Sequence, residues 1–452
     1  MLDVSGIKNY SCLMKKQYSR RFIFSLIAIV SSAVFMLFFM ACALGNLPDT
    51  SDRVSYPNEV LSLVDITDAD TYSRAILTGS RVSAPKAPEA PGGAVIKLVA
   101  EVSSPLDGQG RELQASHVAL TSNGKYAIVS YMLRGNDASG AIDVIDVSNP
   151  AKPKLLSTNL FPNFDIAAVI EETGTLFLAG QTPDQSGAGQ SARVVSLSFS
   201  GSGVVNTDSQ KSVQLPGYFA TDLVRQNGLL FVTTGTYSSI QPAVGLYALD
   251  PITLADSTSV TSGYPDARST AVDGSNVAVF EAQYSDPTTK CHLDIYANGN
   301  LNSTPASIDL SAYPAIADSK AKMAYFQAGN QFLIAANRSG VAIVDAQSKS
   351  LVAGIPAPAL SSALVPLENQ SSNAISIGNA GGKDIVFIAN GEAGLWVADG
   401  DLIKSQNSIT TASINGSIRF GAGESVNFVA SKNTLAVAAV GTGGLKMLTV
   451  QR

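Results

Sequence analysis

From Gly93 onward the apolar residues come in runs of four to six, separated by Gly, Asn, Asp, Ser and Pro. That rhythm belongs to short strands and tight turns; helices need apolar positions three and four apart over longer windows. One strand recurs with a small residue at its start and, in four copies, Asp at its end. It reads Ala141-Ile-Asp-Val-Ile-Asp146, Ser191-Ala-Arg-Val-Val-Ser196, Gly245-Leu-Tyr-Ala-Leu-Asp250, Cys291-His-Leu-Asp-Ile-Tyr296, Gly340-Val-Ala-Ile-Val-Asp345, Gly394-Leu-Trp-Val-Ala-Asp399 and Gly444-Leu-Lys-Met-Leu-Thr449. The ends are spaced by 50, 54, 46, 49, 54 and 50 residues, the sign of a repeat architecture. An apolar strand precedes each copy, as in Tyr126-Ala-Ile-Val, Leu229-Leu-Phe-Val or Phe332-Leu-Ile-Ala, and turn pairs such as Asn123-Gly or Asn227-Gly precede that strand. A further strand lies before the turn, and a more polar one comes after the marked strand. Four antiparallel strands graded from apolar to polar make one propeller blade.

The expected fold is therefore all-β: a seven-bladed β-propeller over residues 94–452. The seventh repeat ends after its third strand, at Val450-Gln-Arg452, and Ala94-Val-Ile-Lys-Leu-Val-Ala-Glu-Val102 stands ahead of the first full repeat. Pairing these two segments in one blade would close the ring and hide its sheet edges. The first repeat, Ile142-Asp-Val-Ile-Asp-Val-Ser-Asn-Pro-Ala-Lys-Pro-Lys-Leu-Leu156, and the sixth, Ile385-Val-Phe-Ile-Ala-Asn-Gly-Glu-Ala-Gly-Leu-Trp-Val-Ala-Asp399, resemble the LVIVD-repeat propellers. The second and fourth repeats depart from that pattern. The resemblance covers roughly residues 94–452 and implies architecture and an exported or surface-attached location, with no common reaction.

The N-terminus breaks the repeat. Lys15, Lys16, Arg20 and Arg21 precede an uncharged run from Phe22 to Leu44. Basic residues before an apolar run hold that end in the cytoplasm and send the downstream chain across the membrane. Residues 1–41 are thus expected to be a signal peptide or membrane anchor, with Met14 the expected start. Phe39-Met-Ala-Cys42 resembles a bacterial lipoprotein signal, which implies lipidation at Cys42. Phe39 and Met40 depart from its usual Leu and small residue, and the alternative is an uncleaved helix of 23 residues. Residues 42–93, with Ala84-Pro-Lys-Ala-Pro-Glu-Ala-Pro-Gly-Gly93, are expected to be a flexible tether. Within it, Glu59-Val-Leu-Ser-Leu-Val-Asp is a short helix or strand that docks on the body.

Composition agrees and narrows the chemistry. Apolar residues make up 45% and charged residues 15%, ample for a core. Residues 1–41 hold five Lys/Arg and one Asp, which leaves 25 basic against 35 acidic residues. A body with that balance and no basic cluster is not expected to bind nucleic acid. Once Cys12 and Cys42 are accounted for by processing, Cys291 is left alone. The two histidines, His117 and His292, do not supply a zinc spacing. Cys291 and His292 are neighbours on a strand and point to opposite faces, so they cannot act as nucleophile and base.

Two groups of residues remain as candidates. The polar residues entering the innermost strands, His117, Asp165, Asp222, Arg268, Lys322, Asn373 and Asn427, are expected to ring one channel opening. Such a ring suits a small ligand or a divalent cation, with Asp165 and Asp222 as oxygen ligands. The plainer account is that strand starts are solvated and their charges pair off. The loops between second and third strands are long in repeats one to four and offer Arg134, Asp137, Tyr237, Tyr284 and Asp286 to a partner. The leading expectation is a monomeric, cofactor-free scaffold that binds an envelope protein or glycan. The alternatives are a metal-dependent hydrolase or lactonase at the channel mouth and a purely structural envelope component.

Overall fold

Every second and third strand read from the repeat pattern is a strand in the computed structural model. The structure describes residues 50–451 except 65, 67–89, 184–189, 237–243, 262–265, 283–290, 314–319, 361–364, 367–368, 406–413 and 422. Six antiparallel sheets stand in a propeller-like ring: four of four strands, one of six and one of eight. The first repeat is typical. Gln114–Leu120, Tyr126–Met132, Ser139–Asp146 and Lys154–Pro162 pair in sequence order. The eight-stranded sheet joins the third and fourth repeats through a single bridged pair, Gly235 and Asp266.

The burial gradient matches the sequence. Leu229–Gly235 is buried beyond its first residue, whereas the outer strand Val205–Leu215 is mostly exposed. Asn227 and Gly228 both take positive φ, the combination that a two-residue hairpin turn requires and that Asn-Gly tolerates best. Apolar clusters fill the spaces between consecutive repeats. Trp396 belongs to one of them, between the fifth and sixth repeats, as expected for core.

The glycine that opens the marked strand has a steric cause. Gly340 has φ +87°, and a Cβ there would lie 2.1 Å from the Ile355 carbonyl oxygen and 2.6 Å from the Ala357 nitrogen. A left-handed residue pressed against a neighbouring backbone admits only glycine. Gly340→Ala is expected to cost about 2–3 kcal/mol, read as a lower denaturation midpoint. An unchanged midpoint would show that the turn can shift aside at no cost.

Part of the segment 42–93, expected as a flexible tether, is built into the body. Its described part from Thr50 onward belongs to the same compact unit as the sheets. Glu59–Leu61 is a strand rather than a helix, and with Val54–Ser55 it pairs with Val95–Val102. Val64 exchanges backbone hydrogen bonds with Ser417 in the sixth repeat. Leu61, Leu63, Val64 and Ile66 are buried. At the other end of this strap, Arg53 pairs with the buried Asp143 of the first repeat at 2.6 Å. Residues 1–49, with Cys42 and the apolar run, lie outside the described residues, as do 67–89. Among the described residues no helix is long and apolar enough to cross a membrane.

Candidate functional site

Antiparallel pairing sets the start of each innermost strand beside the end of the second strand, as Gln114 beside Met132 and Phe219 beside Gly235. The strand-entry residues and the hairpins between second and third strands therefore share one face of the ring. The innermost strands of the first four repeats each carry a β-bulge near this entry, at Ser116, Ala167, Thr221 and Arg268. A bulge adds a residue to one strand only, so positions counted along the sequence slip in depth. The expected single ring of seven is accordingly staggered. His117 and Asp222 come after a bulge, Arg268 occupies one, Asp165 precedes one, and Lys322, Asn373 and Asn427 stand just before their strands.

Four of the seven are tied into the framework. Asp165 accepts backbone N–H bonds from Leu133 and Ser139, both 3.0 Å, and one from Gln181 Nε2 at 2.9 Å. It clamps the base of the first repeat's hairpin; burial raises its pKa against the pull of those bonds. Arg268 pairs with buried Asp266 and lies over the Phe219 ring. The Asn373 amide donates to Val426 O at 3.1 Å, and the Asn427 amide to Ala115 O at 2.9 Å. Each joins a repeat to its successor. Ser116 and Thr221, which polarity at strand starts did not single out, do the same through Ile166 O and Ala267 O at 2.6 and 2.7 Å.

Asp165 and Asp222, expected as cation ligands, each hold other partners. Asp222 accepts from Ser269 Oγ at 2.6 Å and pairs with Lys322 at 3.1 Å, while Asp165 is held at the first repeat's hairpin. Among the described residues no group of three or more His, Cys, Asp or Glu side chains could hold a metal ion.

Three of the seven, His117, Asp222 and Lys322, do converge, together with Lys320. Lys322 Nζ reaches Thr221 O in the third repeat, and Lys320 Nζ donates to Ser116 O in the first at 3.2 Å. Both lysines come from the fifth repeat, whose sequence neighbours are the fourth and sixth. Side chains that bond innermost strands of non-neighbouring repeats must cross the central channel. Their acceptors are the carbonyls of bulged residues, positions at which the ladder is locally disrupted. Burial pulls Lys320 down to about 7, helped by the charge of Lys322. Burial also lowers Lys322, with Asp222 opposing. His117 is held well below the ordinary imidazole value by burial and then by the two lysines. Its ring lies 3.7 Å from that of Phe428, and its buried Nδ1 has no hydrogen-bond partner. Polarity at strand starts does not reveal Lys320, because it lies three residues before the paired strand Met323–Phe326, whereas Lys322 adjoins it. The alternation Lys320-Ala321-Lys322, which puts both amines on one face of an extended chain, was the available signal.

Of the loop residues, Arg134 and Asp137 are exposed on the shared face, and Asp137 pairs with Arg111 at 2.7 Å. Tyr237, Tyr284 and Asp286 lie outside the described residues. The long loops of the first two repeats are partly strand: pairing continues to Met132 with Gly140 and to Pro183 with Gln190. Cys291 is fully buried and in no disulfide. A cavity of about 340 Å³ between the first and seventh repeats opens on the opposite face, at the turns before the second strands. Its Lys432 is bonded to the Thr121 and Ser122 carbonyls.

Comparison with protein-family models finds no match to this chain, and comparison with curated proteins finds none either.

Proposed function

We propose that this chain is an exported, membrane-attached binding module that recognises an envelope protein or glycan at the face bearing the raised hairpins. In this reading the body is a seven-bladed propeller of the LVIVD-repeat kind, closed by Val95–Val102. Attachment is through Cys42 or the apolar helix before it. The blade count is supported by the repeat spacing. Closure is supported by the pairing of Val95–Val102 with Leu445–Gln451, and by a buried cluster that holds Val99 and Val102 together with Val437, Met447, Ala115 and Tyr131.

The observation that carries the binding role is the braced rim of the first two repeats. Their hairpins continue as paired strand beyond the level at which the fifth to seventh repeats turn. Arg111 joins Asp107 to Asp137, Gln190 donates to the Asn136 carbonyl, and Asp165 holds both ends of the first hairpin. A rim already ordered before contact loses little conformational entropy on binding. The test replaces residues 134–138 with Asn-Gly, a turn that suits a hairpin with Met132 still paired to Gly140 and leaves Leu133 and Ser139 free to bond Asp165. The parent is expected to retain a partner from envelope extract, or a glycan from an array, that the variant loses at equal thermal stability. Equal retention of every partner by both proteins would refute the rim as the recognition surface.

A further inference from the structure

Among the described residues the cations at the channel mouth are unevenly partnered. Arg268 has Asp266, and Lys322 has Asp222. Lys320 has a backbone carbonyl and, among the described residues, no carboxylate partner. Asp222, which pairs with Lys322, is also engaged by Ser269 Oγ and by the backbone N–H groups of Leu223 and Thr270. Beside them the His117 ring is 6% exposed, and its Nδ1 has no partner. A buried polar atom without a partner and an amine beside a second amine are each costly, and one bound anion relieves both.

We propose that Lys320, Lys322 and His117 form a binding site for a small oxyanion, a single carboxylate or phosphate group, at the mouth of the channel. Lys320 supplies the charge-assisted hydrogen bond, Lys322 adds attraction, and the imidazole donates through a ring N–H. The site lies on the face already assigned to recognition. It rests on that reading and deepens it by naming the ligand chemistry: an acidic sugar or a phosphate-bearing group enters with its anionic end in the channel. No covalent step is involved. Burial, with the charge of Lys322, holds the amine low, and a bound anion would favour its charged form, so binding draws a proton onto Lys320. Among the described residues the titratable groups beside it are Lys322 and His117, and Lys322 in turn is faced by Asp222, bonded to Ser269, and by Arg268, paired with Asp266.

The test uses the purified full-length protein and two probes, inorganic phosphate and glucuronate, with binding read by calorimetry. One probe or both are expected to bind, with the preferred one telling a phosphate source from a carboxylate source. Lys320→Met is expected to weaken binding at least tenfold, and Lys320→Arg, which keeps the charge, to retain most of it. The resonance of isotopically methylated Lys320 should titrate at higher pH when the probe is present. Should neither probe bind, or Lys320→Met bind as the parent does, the site is overturned. The shortened 134–138 hairpin should leave the anion site unchanged. Loss of partner capture with anion binding intact therefore identifies the rim, and the converse identifies the channel.

Discussion

Arg53→Met is expected to lower the stability of the body by about 3–5 kcal/mol, the cost of stranding one member of a buried ion pair. The Asp143 side chain is fully buried, and that of Arg53 is 16% exposed. The guanidinium makes two bonds to the carboxylate, at 3.2 and 2.6 Å, one to Thr158 Oγ1 at 2.7 Å and two to the Ser103 carbonyl. Tyr131 donates to the same carboxylate at 2.8 Å, and burial holds its phenol well above the ordinary range. Burial pulls the Arg53 guanidinium down, and Asp143 more than restores it. Without Arg53 the Asp143 charge stays in the interior with two hydroxyls and no cation. Pairing Arg53→Met with Asp143→Asn should recover part of the loss, because the second change removes the stranded charge. A single variant that denatures at the parent's midpoint would mean that solvent reaches Asp143 once Arg53 is gone. The strap would then contribute by apolar burial alone.

This pair also marks where the sequence could be read and where it could not. Alternation, turn residues and a fifty-residue period place the second and third strands, because each depends on neighbours within a few residues. Gly340 and Gly444 were visible as repeat marks for the same local reason. Their meaning, a Cβ that would strike the Ile355 or Val102 carbonyl, needs the outer strand in place. Arg53 lies 90 residues from Asp143 in the chain, within a stretch whose prolines and polar residues look like linker. Nothing local announces that it docks.

The candidate site divides along the same line. That strand entries are polar was legible, and the structure gives those residues a use: Asn373 and Asn427 staple consecutive repeats through backbone carbonyls. Their depth was not legible, because four bulges each insert a residue that regular spacing does not anticipate. So Asp165, read as level with Asp222, is instead a clamp on the first hairpin. Lys320, outside the paired strand, reaches across the channel to Ser116. Convergence across a ring depends on which repeats face each other, a property of the whole assembly rather than of any one repeat.

Closure itself is open to a direct trial with three forms of the body, starting at residues 50, 94 and 103. Starting at 94 removes the strap and the Arg53–Asp143 pair but keeps Val95–Val102. Starting at 103 removes that strand as well. Ile96, Leu98, Val99 and Val102 are buried, and losing about 1.5–3 kcal/mol for each gives about 6–12 kcal/mol. That rivals the whole stability of a typical domain, about 5–15 kcal/mol. The loss also uncovers Leu445, Met447, Leu448 and Val450 and leaves the backbone of Leu445–Gln451 without its partner on one side, an open edge prone to pair with another chain. The form starting at 94 should therefore fold with a lowered midpoint, and the form starting at 103 should aggregate or fail to give a cooperative transition. A supplied peptide of sequence 94–102 should restore solubility, since the register at Ile96 with Val450 and Leu98 with Leu448 specifies a single fit. If the form starting at 103 melted as the one starting at 94 does, the last repeat would be stable with three strands. The ring would then not depend on its first strand.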